Sequence, residues 1–89
     1  MENDCCVYVL LSEKDHKRYI GSTSDLKRRL NQHNSGQVSA TRNRRPLRLY
    51  AYQSFNRLID ARICEKKYKK SRGCFNKAIK EDKFIIIGE

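Results

Sequence analysis

Winding residues 26 to 33 into a helix of about 3.6 residues per turn brings Leu26, Arg29, Leu30 and His33 onto one stripe. Two of these four carry chemistry rather than packing. An arginine held over a cavity is a fixed fork of donors matched to a phosphate. A histidine one turn later can donate to that phosphate or exchange a proton near neutral pH. Standing alone, His33 would read as an ordinary structural histidine; beside an inward-leaning Arg29 it reads as part of an anion site. Lys27 and Arg28 point elsewhere and read as solvated charge.

A second helical stripe repeats the pattern. Leu58, Ala61, Cys64 and Tyr68 share a face, and Glu65 falls within it, while Lys66, Lys67, Lys69 and Lys70 flank it or face away. A carboxylate there either neutralises a nearby arginine or holds a metal ion. Magnesium takes one or two carboxylates and completes its shell with waters and substrate phosphates, so a single glutamate suffices if nucleic acid supplies the rest. Tyr8 and Tyr19 lie in strand-like segments and can be ordinary strand aromatics. The run Tyr19-Ile20-Gly21 is more pointed, because a strand glycine marks close approach by a backbone or ligand.

The elements that must position these residues follow from the local pattern. Residues 6 to 12 are β-branched, aromatic or apolar, 13 to 17 form a polar turn, and 18 to 23 are again strand-like, which predicts a β-hairpin. Thr23 or Ser24 as a cap, Asp25 in the first turn and Gly36 past the end predict a helix over 24–35. A loop rich in Ser, Thr and Arg then runs to Pro46, and 47 to 52 alternate as a third strand. A helix starting at Ser54 or Asn56 and running to about Lys70 breaks at Ser71-Arg72-Gly73, and a shorter one follows over 74–81. The tail Phe84-Ile85-Ile86-Ile87 reads equally as a late strand or a packed extended end. The order β-β-α-β-α-α predicts an α/β fold with a small, three-stranded, mainly antiparallel sheet flanked by helices.

Composition narrows the partners. With 89 residues and 38% apolar content the chain has room for one domain, over 1–89, and one modest core. A formal net charge of +10 favours polyanions, and no long apolar helix calls for a membrane. Cysteines at 5, 6, 64 and 74 fit neither a zinc spacing nor a disulfide framework. Reduced thiols, with a polar Met1-Glu2-Asn3-Asp4 in place of a signal peptide, predict a cytoplasmic protein.

Taken in order, these residues resemble the GIY-YIG nuclease superfamily, and most closely its small single-domain bacterial members. The first motif stands as Cys6-Val7-Tyr8, without the name-giving glycine; the second is intact as Tyr19-Ile20-Gly21. Ser24-Asp25-Leu26-Lys27-Arg28-Arg29-Leu30 is similar to the start of the family's helix, with Arg29 ten residues after the second tyrosine, and His33 follows one turn later. The stretch His33-Asn34-Ser35-Gly36, then Thr41-Arg42 and Arg44-Arg45-Pro46, is similar to the small-member loop, and Glu65 matches the family's metal-binding glutamate.

The resemblance implies a metal-dependent endonuclease with Tyr8, Tyr19, Arg29 and His33 catalytic and Glu65 holding one Mg²⁺ or Mn²⁺. Gly21 and Asn76 are further candidates for the site. Thr41, Arg42, Arg44, Arg45, Lys66 and Lys69 are the expected nucleic-acid contacts. DNA is the expected substrate over RNA, selected by structure or weakly by sequence, with a protein partner able to supply specificity. Two other functions fit the same chain: a non-catalytic nucleic-acid-binding module, and an accessory subunit of a partner nuclease.

Overall fold

The computed structural model describes residues 5–87. Strands β1 (Cys6–Ser12) and β2 (Arg18–Thr23) form the hairpin, followed by α1 (Leu26–Asn34), a short 3-10 turn at Arg42–Arg44, β3 (Leu47–Ser54), α2 (Leu58–Lys70), α3 (Arg72–Lys80) and β4 (Ile85–Ile86). The hairpin bounds agree with the sequence pattern; the helix starts differ for identifiable reasons. Thr23 stays in β2 and its hydroxyl accepts the Asp25 N–H at 3.0 Å, so the cap of α1 falls to Asp25, whose carboxylate accepts from Arg28 N at 3.2 Å. The third strand runs on to Ser54, which delays α2 to Leu58. Ser71 caps α3 by accepting the Cys74 N–H, so that helix starts at Arg72 and includes Gly73.

The sheet has four strands rather than three, in the order β2-β1-β3-β4 and antiparallel throughout. The tail supplies the fourth. Phe84 is buried at 5% exposure, and once it is anchored, Ile85 and Ile86 lie against the free edge of β3 opposite Tyr52 and Ala51. The β-branched run therefore resolves as a short edge strand.

Strand register divides the core in two. Tyr8 faces Gly21 and Leu10 faces Tyr19 across the first strand pair, putting these residues on one face with Cys6, under Leu26 and Leu30 of α1. Val7 and Val9 point the other way, opposite Ser22 and Ile20, and pack with Ala51, Ala61, Tyr68, Phe75, Ala78 and Phe84 beneath α2 and α3. The three aromatics of that second layer meet at 5.5–5.7 Å between ring centroids. No disulfide joins Cys5, Cys6, Cys64 or Cys74, in keeping with the sequence reading. No helix among the described residues is long and apolar enough to cross a membrane.

The aromatic trio makes Phe84 the heaviest contributor from the tail. Phe84→Ala should cost about 3–5 kcal/mol, a large share of the ~5–15 kcal/mol typical of a whole domain. The exposed Ile87→Ala should stay within about 0.5 kcal/mol. Urea denaturation of both variants checks this; equal midpoints would mean that the tail is not part of the core.

Candidate active site

The centre of the site is the Tyr8 phenol. Its hydroxyl is 2.8 Å from His33 Nε2 and accepts from Arg29 Nε at 3.3 Å, while a second guanidinium nitrogen of Arg29 donates to Gln32 Oε1 at 3.0 Å. On the far side of the imidazole, His33 Nδ1 is 2.7 Å from Thr41 Oγ1, and Thr41 Oγ1 is 3.5 Å from Val38 O. With hydrogen on Nδ1, His33 donates to Thr41 Oγ1 and its Nε2 accepts from the Tyr8 hydroxyl; with hydrogen on Nε2, both directions reverse. Tyr8 Oη is thus held between His33 Nε2 and the Arg29 guanidinium, on a side chain that is 1% exposed.

Gly21 makes this geometry possible. It lies opposite Tyr8 in the strand pair, and a Cβ there would stand 2.5 Å from Tyr8 Cζ, far inside any tolerated contact. The phenol occupies the space that a side chain would need. Tyr19 packs against the same imidazole, its ring edge-on with centroids 5.1 Å apart.

Burial tunes both groups against spontaneous ionisation. Desolvation pushes the Tyr8 phenol up to about 12, opposed by the hydrogen bond and charge of Arg29 and assisted by the charges of Tyr19 and Glu65. His33 is fully buried, and desolvation followed by repulsion from Arg29 lowers it to about 4. At neutral pH the resting pair is therefore a neutral phenol and a neutral imidazole.

Glu65 arrives from the opposite face of the sheet. It sits on α2, accepts a short hydrogen bond from the Ser22 hydroxyl and pairs with Lys69 Nζ at 2.8 Å, while that ammonium lies 5.2 Å over the Tyr19 ring. The meeting point is the edge strand β2, around which residues of both faces converge. Ser22 was not singled out in the sequence. Its signal is strand alternation: it shares with Ile20 the face packed on α2, where a hydroxyl needs a partner.

Among the described residues no three His, Cys, Asp or Glu side chains gather into a metal cluster. That geometry is unlike a closed zinc or calcium cage. One partly exposed carboxylate, its side chain 20% exposed, suits a hard cation that retains waters and shares substrate oxygens.

The other sequence candidates are distributed differently. Thr41 is fully buried behind His33, so it supports the imidazole and presents nothing to a phosphate on the surface. Arg44 is paired with Asp15 at 2.9 Å, Arg42 Nε donates to Gly36 O, and Arg45 Nε donates to Arg42 O. The basic loop thus uses its guanidinium groups in shaping itself. Lys66 is exposed on α2, Lys69 is at Glu65, and Asn76 is exposed on α3, lining a neighbouring cleft with Lys69 rather than touching Tyr8 or His33. Arg28 is exposed, as its sequence reading expects, and lines an open cleft with Arg29, Gln32 and Ser22.

Comparison with known proteins gives the class, a catalytic domain of nuclease type. The GIY-YIG catalytic domain model matches residues 4–78, and the chain belongs to the GIY-YIG family. It is 43% identical over 72 residues to the "UPF0213 protein in ldhD 5'region" of Pediococcus acidilactici, spanning 78% of this chain and 72% of that protein. A UPF0213 protein of Bacillus pumilus is 37% identical over 70 residues, covering 78% and 71%. One from Lactococcus lactis subsp. cremoris is 35% identical over 74 residues, covering 82% and 69%. No solved structure matches the chain.

Two outcomes follow from the buried pair. Because His33 titrates near 6.5 when unfolded and about 4 when folded, the unfolded chain binds the extra proton between those values. The contribution of His33 to stability is thus complete above about pH 6.5 and declines as pH falls towards 4. Melting temperatures across pH 7 to 5 should fall less in His33→Phe than in the wild type; identical slopes would exclude the neutral buried imidazole. Gly21→Ala should displace Tyr8 at a cost of about 1–3 kcal/mol, read as a lowered urea midpoint. An unchanged midpoint would show that the phenol does not rest on Gly21.

Proposed function

We propose that this chain is a divalent-metal-dependent endonuclease that hydrolyses phosphodiester bonds in nucleic acid, DNA in preference to RNA, with selection by structure or weakly by sequence. The observation that carries the reading is the Tyr8 hydroxyl held between His33 Nε2 and a hydrogen-donating Arg29. An ordinary strand tyrosine needs one partner; this one has both an imidazole and a cation. A cytoplasmic location and a protein partner that adds specificity belong to the same reading.

In this mechanism His33 carries its hydrogen on Nδ1, so that Tyr8 donates to Nε2, and a water brought to the Tyr8 hydroxyl, which is buried at rest, donates to its remaining lone pair. As the water attacks phosphorus, its proton passes to Tyr8, whose own proton moves to His33 Nε2. The imidazole then shares the new positive charge through Nδ1 with Thr41. A phenol at about 12 and an imidazole at about 4 make this transfer unfavourable at rest. Burial is the larger cause of the low value at His33 and repulsion from Arg29 the smaller; a substrate phosphate beside Arg29 offsets the second. Arg29, fixed by Gln32, stabilises the charge building on the phosphoryl oxygens. Tyr19 orients water or phosphate with its hydroxyl. Glu65, steadied by Ser22, would hold Mg²⁺ or Mn²⁺, which supplies a Lewis acid for the phosphate and the leaving oxygen. Lys69, displaced from Glu65, turns to a substrate phosphate.

Purified protein should cut labelled single-stranded, duplex or branched DNA with Mg²⁺ or Mn²⁺ and not with chelator. Glu65→Ala should abolish cutting with the melting temperature retained, and Arg29→Ala and Tyr8→Phe should each reduce it about 10²–10³-fold. Undiminished cleavage by Glu65→Ala would contradict the metal assignment. Salt-sensitive binding without cleavage, equal in wild type and Glu65→Ala, would favour the non-catalytic module, and activity only with a co-purified partner would favour the accessory subunit.

A further inference from the structure

The chain has ten arginines, and most of their guanidinium groups have internal partners. Arg18 meets Tyr50, Arg29 meets Tyr8 and Gln32, and Arg44, Arg48 and Arg57 pair with Asp15, Glu13 and Asp60. Arg42 and Arg45 donate to carbonyl groups of their own loop. Among the described residues the side chains of Arg28, Arg62 and Arg72 have no hydrogen-bond or ion-pair partner, and all three are exposed. They are not scattered. Arg28 and Arg62 line a cleft of about 380 Å³ that also includes Arg29 and Ser22. Arg72 lines a second cleft, of about 830 Å³, with Lys69, Arg18 and an apolar floor of Ile20 and Phe75.

The two clefts occupy opposite ends of one seam. Along β2 the order is Arg18 and Ile20, then Ser22 and Thr23; along α2 it is Leu58 and Arg62, then Tyr68 and Lys69. The first cleft joins the end of β2 to the start of α2, and the second joins the start of β2 to the end of α2. Glu65, between Arg62 and Tyr68 on α2, therefore lies between the two clefts, hydrogen-bonded to Ser22 at the rim of the first. At ~1.5 Å per helical residue, Arg62 and Lys69 are about 10 Å apart along the axis of α2. At ~3.4 Å of rise per nucleotide, that spans about three nucleotides of one strand.

From this placement, and resting on the nuclease reading above, we infer that one nucleic-acid strand runs along the β2–α2 seam, its phosphates flanking the scissile bond held by Arg28 and Arg62 at one end and Arg72 at the other. Arginines without internal partners can turn to phosphate and leave every bond within the fold intact, and their planar forks suit its oxygens. The apolar floor beside Arg72 takes a sugar or base edge, which a bare anion would not use. In the 41–45 loop Arg42, Arg44 and Arg45 already hold internal partners, so the track is placed on the seam and the loop is its comparison.

The test is the salt dependence of binding to a labelled single-stranded oligonucleotide in chelator, by fluorescence anisotropy, with cleavage assayed separately in Mg²⁺. Removing one arginine–phosphate pair should flatten the slope of log K against log salt by about 0.7. Arg62→Gln and Arg72→Gln should each show that flattening at an unchanged melting temperature, and the double variant about twice it, with Arg42→Gln and Arg45→Gln like wild type. Unchanged slopes in Arg62→Gln and Arg72→Gln, or flattening confined to the loop variants, would overturn the track while wild-type cleavage still upheld the nuclease. The expected flattening without any wild-type cleavage would uphold the track and overturn the nuclease.

Discussion

Tyr8 and Gly21 face each other across the first strand pair, and the phenol lies over the glycine in space that no side chain could share with it. Most of the site's geometry depends on that contact. With the ring against β2, its hydroxyl meets both His33 and Arg29, which α1 supplies one turn apart. The leucines of that helix, Leu26 and Leu30, set the height of α1 over the sheet by packing on the same layer as Tyr8 and Leu10. A larger residue at position 21 would lift the phenol towards the helix and disturb both hydrogen bonds together. The constraint is steric, and what it protects is the meeting of the phenol with both His33 and Arg29.

The second organising feature is that β2 is an edge strand. Tyr8, Tyr19, Arg29 and His33 belong to one face of the sheet, and Glu65 comes from a helix on the other. In the middle of a sheet those groups would be separated by a full layer of backbone. At an edge, Ser22 facing one helix and Tyr19 facing the other are carried by one strand, and a long lysine reaches round from Glu65 to the Tyr19 ring. Open space beside the strand is then available to a substrate too large to enter a cavity.

Helical periodicity made Arg29, His33 and Glu65 legible, because a charge on an apolar stripe is visible from spacing alone. Gly21 was legible as a close approach, although which residue approaches it depends on register. The roles of Thr41 and Ser22 were not. Thr41 reaches His33 only because the loop folds back under α1, and sequence analysis read its hydroxyl as a surface contact. Arginine pairing was equally hidden: a run such as Arg42 to Arg45 looks like a grip for phosphate, whereas its guanidinium groups meet Asp15 and nearby carbonyls. Local composition reports how much charge is present and not how much of it is already occupied. The fourth strand was ambiguous for a similar reason, since its pairing required Phe84 to be anchored among residues distant in sequence.

Burying a tyrosine, a histidine and a threonine is a heavy demand on so small a domain, whose margin of stability is about 5–15 kcal/mol. It is met by completeness: among the described residues no buried side-chain nitrogen or oxygen lacks a hydrogen-bond partner. Each link of the chain from Arg29 through Tyr8, His33 and Thr41 to Val38 O both fills a valence and fixes the neighbour's tautomer or rotamer. An apolar filling of the same volume would satisfy the packing of this layer as well, but it would not place a phenol between an imidazole and a guanidinium. Burial keeps the phenol and imidazole neutral at rest, and the same low-dielectric surroundings make them sensitive to any charge brought beside Arg29. The polar chain that the fold takes trouble to bury is therefore also a part of it that responds to a change of charge.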